Sequence, residues 1–489
     1  PPTTAATNTT TSAAEPATTT TDAATSTTLP PIVIPAGTRG SFGELASIPL
    51  LSGGPGYAGP ATPGSLNDVF VSDWIGDHLD ANDANGQLLA NGFVVVPGTT
   101  RHFHHIYEGA EYGGWPVFVT TDAAYHVWHL AFDKILREAE EQTLLPALED
   151  MVTRLVEVAR AQVAELAATN LAEAANRVTQ FYEAAATVLE LDVGPIGPLA
   201  QAEVDLIMAA TEIALSPTTG GDAGSPFITR MIDYSLFRPR GLYTRSDDLE
   251  RFFRAMSQLG NNAFLVDQGL VLGILASRVL LADQDVIDAW QLIYEPTAWL
   301  VGAADDYTPL EVGAVVEQVV PTGWSDVTVF ADPATVTTVG SALLAMRPVA
   351  INPEAASVRI MGARLVVDSY IFDQLVEPNV RRGTASPLDL AAAFGSEWAY
   401  GVQEAAGETA ADGYEQQMAA MQQLIADRTE EDWGATVYDA WLWAVQPMWQ
   451  QRGVEYPDYM QTEAWDAKSH QTGFGSYTEL KHDTILYTK

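Results

Sequence analysis

Asp122, His126, His129 and Asp133 lie four, three and four residues apart in the segment TTDAAYHVWHLAFD, Thr120–Asp133. On a helix that spacing puts all four on one stripe. Two imidazoles and two carboxylates on one face suit a divalent metal ion, zinc or calcium, with Asp122, His126 and His129 as candidate ligands. Alternatively, the carboxylates orient the imidazoles from behind. The spacing is not the His-Glu-x-x-His of helical zinc proteases. The competing reading is ordinary packing, in which the histidines share a buried helix with Trp128 and Phe132.

Other stretches carry chemistry-capable residues. His482 and Asp483, in the run Gly475–Thr484, offer a general base or a metal ligand and are the candidate catalytic pair. Neighbouring residues do not face each other on a helix, so the pair is not a ready-made dyad, and a polar terminal segment is the plainer alternative. Asp305 and Asp306 stand just ahead of Thr308 as a further candidate acidic site, either for Ca²⁺ or as complements to the dipole of the helix that follows. Arg238 and Arg240 belong to a cluster with Arg230, Arg245, Arg251 and Arg254. Their planar forks suit an anionic group, or else structural ion pairs. His102, His104 and His105 form a tract of metal-binding composition, or a set of loop histidines. The sequence has no Gly-x-Ser-x-Gly elbow, phosphate loop or dinucleotide fingerprint.

The elements that must position these groups are mostly helical. PVFVTT at Pro116–Thr121 reads as an extended entry, with Thr121 as N-cap of a helix that runs to about Glu141. Leu144–Leu191 repeats apolar residues at three- and four-residue spacing. Ser246, Thr308 and Ser386 are clear caps, the last two followed by proline. The β-branched runs Val327–Val339 and Val358–Val367 read as short strands, as does GFVVV at Gly92–Val96. The expectation is a mainly α protein: one large irregular helical domain over 41–489, with minor short strands, behind a disordered Thr-rich leader at 1–40.

The 489 residues include 63 acidic and 24 basic ones, a net charge of −39. That charge repels a phosphate backbone and an anionic lipid surface, so neither nucleic acid nor such a membrane is an expected partner. Cysteine is absent, which removes thiol nucleophiles and Cys-based zinc sites. The most apolar run, Gly269–Ala282, is too short to cross a membrane and contains Arg278. The Thr/Ala/Pro-rich leader suits a stalk able to carry O-linked sugars, and Asn8-Thr9-Thr10 is a formal N-glycosylation acceptor. These features point to an extracytoplasmic protein, secreted or anchored at the cell surface. The missing initial Met suggests a processed chain or a fragment.

Six segments in order resemble a family of secreted bacterial and archaeal proteins catalogued as domain of unknown function 3160. They are FVTTDAAYHVWHLAFD (Phe118–Asp133), RPRGLYTRSDDLERFFRAM (Arg238–Met256), LVGAADDYTPLE (Leu300–Glu311), VVDSYIFDQLV (Val366–Val376), SPLDLAAAFGSEWA (Ser386–Ala399) and GSYTELKHDTILYTK (Gly475–Lys489). The resemblance spans roughly residues 90–489 and implies an exported, often surface-anchored protein without supplying an activity. Leu242 stands where the family pattern has His, and His470 where it has an apolar residue. The last block also stops inside a pattern expected to continue.

Two functions follow as expectations. One is a metal-dependent hydrolase acting on an extracellular peptide or glycan, with Asp122, His126 and His129 meeting His482 and Asp483. The other is a non-catalytic cell-surface binding or scaffold protein. The oligomeric state is left open.

Overall fold

The computed structural model describes residues 102, 104–114, 119–221, 231–454 and 456–489. The expectations for the 1–40 leader, the strand at Gly92–Val96, the first half of the Pro116–Thr121 entry, and Arg230 lie outside them. The described residues belong to one compact unit.

The protein is mainly α, as expected. Among the described residues, helix α1 (His104–Gly113) comes first, followed by α2 (Thr121–Ala139). The cap of α2 is Thr120 rather than Thr121: the Thr120 hydroxyl accepts from the Ala123 amide. Two adjacent threonines offer the same capping oxygen, so the sequence alone does not choose between them. α2 does not end near Glu141. A π-helical turn, Glu140–Leu144, carries it directly into α3 (Leu145–Leu166). The stretch read as one helical region over Leu144–Leu191 divides into α3 and α4 (Ala172–Val188). The break is local: Thr169 donates to the Leu166 carbonyl and accepts from the Leu171 amide, giving the backbone a turn in place of helix.

Helix α5 (Pro198–Ala209) leads to a two-residue ribbon in which β1 (Ile213–Ala214) pairs antiparallel with β2 (Ile232–Asp233). Two 3₁₀ turns, Tyr234–Phe237 and Gly241–Thr244, then reach α6 (Asp247–Asn261), which is capped by Ser246 as expected. β3 (Phe264–Leu265) pairs antiparallel with β4 (Ser357–Val358). Between them lie α7 (Leu270–Leu281), α8 (Gln284–Val301), α9 (Pro309–Val319) and α10 (Pro333–Met346). The chain continues through α11 (Val367–Gln374), α12 (Pro387–Ala393), α13 (Glu397–Ala406), α14 (Tyr414–Ala426), α15 (Glu430–Trp433) and α16 (Val437–Val445). It closes on α17 (Glu463–Asp483).

The β-branched run at Val327–Val339 is not a strand. Asp326 caps a 3₁₀ turn at Val327–Ala331, and Asp332 with Pro333 starts α10. Two caps and a proline at the first helical position outweigh β propensity. In Val358–Val367 only Val358 lies in a strand, and α11 begins at Val367. The core lies between α3, α4 and α7. Met151, Leu155, Ala159, Phe181, Ala185, Leu272, Ile274 and Leu275 are sealed from solvent. The most apolar run of the chain is thus a central buried helix. Among the described residues no helix is long and apolar enough to cross a membrane.

The junction of α2 and α3 buries a carboxyl group. Glu140, in the π turn, is fully buried and accepts from the Tyr243 hydroxyl at 2.8 Å and the Tyr487 hydroxyl at 2.5 Å. Burial pushes its pKa up to about 8, against the pull of the two phenols. The group therefore favours folding fully below the pKa of the unfolded chain, and this contribution is lost as pH rises toward 8. Thermal melts from pH 5 to 8 should show the wild type losing stability relative to Glu140→Gln, by up to about 1.4 kcal/mol for each pH unit of that window. Parallel pH profiles for the two proteins would refute the assignment.

Candidate functional site

Helices α2 and α17 meet along a polar edge that starts from the stripe on α2. Asp122 accepts from Lys468 Nζ at 2.9 Å and Thr472 Oγ1 at 2.7 Å. His126 Nδ1 lies 2.7 Å from Glu479 Oε1, and His129 Nδ1 lies 2.7 Å from Asp483 Oδ2. Partner numbers rise together, so the two helices run parallel. Asp133 leaves this pairing and accepts from Arg245 Nη1 at 2.8 Å. Behind the edge, Trp441 of α16 is buried edge-on against Phe132 and Trp128, with ring centroids 5.5 and 6.0 Å away. Its indole N–H donates to Ser476 of α17 at 2.8 Å, and the Tyr125 hydroxyl donates to the Ala444 carbonyl at 2.6 Å. One aromatic residue thus holds both helices of the pair against α16.

His126, His129 and Glu479 each present one donor atom, and these atoms lie within 4.8 Å of one another. Ligand bonds of about 2.1 Å place donor atoms at most about 4.2 Å apart, so a single ion would draw this group slightly closer together. All three side chains are half-buried. A carboxylate only accepts, so each Nδ1 is the donor, and Nε2 is the basic nitrogen of the neutral ring. Burial acts to lower the pKa of His129. The hydrogen bond and charge of Asp483, with Glu479 and Asp133 nearby, outweigh it and hold the pKa above the ordinary imidazole value. Asp122 balances similarly: burial acts to raise its pKa, but Thr472 and Lys468 hold it below the usual carboxylate value.

Several expected site residues play other parts. Asp483 is fully buried and serves as the partner of His129. His482 is half-exposed, with Nδ1 3.7 Å from Asp483 Oδ1, too far for a hydrogen bond. Its ring lies on Gly241, where an added Cβ would come within 2.8 Å of Cε1. The third place beside His126 and His129 belongs to Glu479. Asp122 pairs with Lys468, outside the group of donor atoms. Asp305 and Asp306 are both buried, and both bind Lys489 Nζ, at 2.7 and 3.1 Å. Asp306 also pairs with Arg359 at 2.9 Å, while Asp305 accepts from the Ala350 and Ile351 amides. This acid pair ties loops together. In the helix that follows, it is Thr308 and Glu311 that form the capping box.

The arginine cluster is mostly structural. Arg245, Arg251 and Arg254 pair with Asp133, with Glu149 and Asp248, and with Glu250. Among the described residues, Arg238 reaches only the Ala210 carbonyl, at 3.4 Å, and the buried Nε of Arg240 has no hydrogen-bond partner. Leu242 is buried. His470 is also buried, with Nε2 2.6 Å from Ser396 Oγ and Nδ1 2.7 Å from the Asp466 carbonyl. Burial holds its pKa below the ordinary imidazole value, and it is a packed ring. Among the described residues, two cavities of about 490 and 470 Å³ have linings that include none of His126, His129 and Glu479: one lies beside Glu377 and Gly413, the other between α13 and α14.

Glu479, Lys468 and Thr472 were not singled out from the sequence. The signal for Glu479 is present in TELKHD, where Glu479 and Asp483 sit four apart, once Thr462 is recognised as the cap of a long helix. The fold is thus that of a helical protein whose histidines are presented across a parallel helix pair. The chain belongs to the family described as protein of unknown function (DUF3160), whose model matches residues 81–489. No curated protein and no solved structure matches the chain.

The role of Asp483 can be read on His129 itself. Asp483→Asn keeps a hydrogen-bond acceptor near Nδ1 but removes the charge. NMR titration should then show His129 giving up its proton at lower pH than in the wild type, because burial is no longer outweighed. The stability that a raised imidazole pKa supplies at low pH, and which fades as pH rises through that pKa, should shrink with it. An unchanged His129 titration would remove Asp483 from this role.

Proposed function

We propose that His126, His129 and Glu479 hold a divalent metal ion and that the protein is an extracytoplasmic hydrolase of an extracellular polymer, either peptide or glycan. The observation that carries this reading is the grouping of the three donor atoms, all within 4.8 Å of one another, across two helices. Two imidazoles and one carboxylate suit zinc better than calcium, which prefers oxygen ligands. An ion held by three protein donors keeps a position for water and lowers the pKa of that water.

The surrounding residues have distinct tasks in this reading. Asp483 fixes the ring of His129, and the Lys468–Asp122 and Arg245–Asp133 contacts hold α2 at either side of the histidines. Half-burial of the group leaves it open to a polymer strand. Arg240, whose buried Nε has no partner among the described residues, and exposed Arg238 would hold an anionic group of the substrate in this reading. The second reading is a non-catalytic cell-surface binding or scaffold protein. It is favoured by the two cavities, whose linings include none of His126, His129 and Glu479.

Elemental analysis and a panel of peptide, ester and glycan substrates separate the two. A His126→Ala/His129→Ala variant should lose one equivalent of metal and at least about 10²-fold in turnover. Metal lost without any turnover in the wild type would favour the scaffold reading. Metal content unchanged by the substitutions would end the metal-site proposal.

A further inference from the structure

His102, His104 and His105 lie close together at the start of α1. The His104 and His105 ring centroids are 4.3 Å apart, and His102 lies 5.6 Å from His104 and 5.2 Å from His105. Glu108 follows His104 by one helical turn. His104, His105 and Glu108 each present one donor atom, and the three atoms lie within 4.8 Å of one another. The sequence read this tract as either a metal site or loop histidines. The structure puts two of its members on a helix with a carboxylate in register.

Packing does not account for the grouping. All three residues are exposed, and α1 has no buried residue. Protonated imidazoles at this spacing repel each other, whereas neutral ones can share a cation. We propose that His104, His105 and Glu108, with His102 beside them, form a second and separate divalent-metal site. Its imidazole-rich donor set selects zinc, nickel or copper over calcium or magnesium. None of its residues belongs to the group on α2 and α17, so it stands or falls independently of the proposed hydrolase site.

The test is a calorimetric titration of the chelator-stripped full chain with ZnCl₂. The wild type should take up two equivalents. His104→Ala/His105→Ala/Glu108→Gln should lose one equivalent, and His126→Ala/His129→Ala should lose the other. Because the three substituted side chains are exposed, the far-UV circular dichroism and melting temperature of the triple variant should match the wild type. Wild-type stoichiometry and affinity in the triple variant would overturn the second site. So would a single equivalent lost only in His126→Ala/His129→Ala, which would leave the first site intact. A single equivalent lost only in the triple variant would support this site and refute the other.

Discussion

The structure depends on satisfying carboxylates that the fold buries. With 63 acidic and 24 basic side chains, most carboxylates have no cation of their own, and several buried ones rely on uncharged donors. An unsatisfied buried carboxylate would cost several kcal/mol, so each must recruit donors, often from far along the chain. Glu203 gathers Ser216, Thr218, Tyr234 and Asn262. Asp389 gathers Arg382, Gln403 and Tyr414. Asp368 on α11 draws Tyr477 and Lys481 from α17. With described strands only two residues long and no cysteine in the sequence, these polar knots specify which loop meets which helix.

The α2–α17 edge is one more such knot, with a difference in its donors. Elsewhere the buried acids are met by Arg, Lys, Tyr, amides and hydroxyls. Here two of the donors are imidazoles, groups that change charge near neutral pH and bind metals. Trp441 gives this edge a rigid backing, since it packs on α2 and donates to α17. The side chains on the edge are therefore placed by a buried aromatic residue, while the imidazoles themselves stay partly open to water.

Much of this was readable from residue spacing. The Asp122, His126, His129 and Asp133 stripe is helical arithmetic, and the caps at Ser246, Thr308 and Ser386 are local chemistry; all of them stand in the structure. Three features were less legible. Glu479 was hidden because α17 has little amphipathic pattern: Asp466, His470, Ser476 and Asp483 are all buried on it alongside Tyr477 and Leu480. The strands expected in Val327–Val339 yielded to Asp326 and Asp332 caps, whose weight depends on the neighbouring packing. The roles of Asp305 and Asp306 were fixed by Lys489, a partner 184 and 183 residues away that no local pattern reports.

The π turn at Glu140–Leu144 sets a phase between two functions of one continuous rod. Its wider turn, in which the Leu145 amide reaches back to the Glu140 carbonyl, accommodates one residue more than an α-helix would. Each α-helical residue advances the azimuth by roughly 100°. Deleting a single residue there would make the rod regular, leave the core face of α3 seated, and swing the histidine stripe of α2 away from α17. The turn thus works as an angular offset, letting one rod address the apolar interior at one end and the imidazole–carboxylate edge at the other.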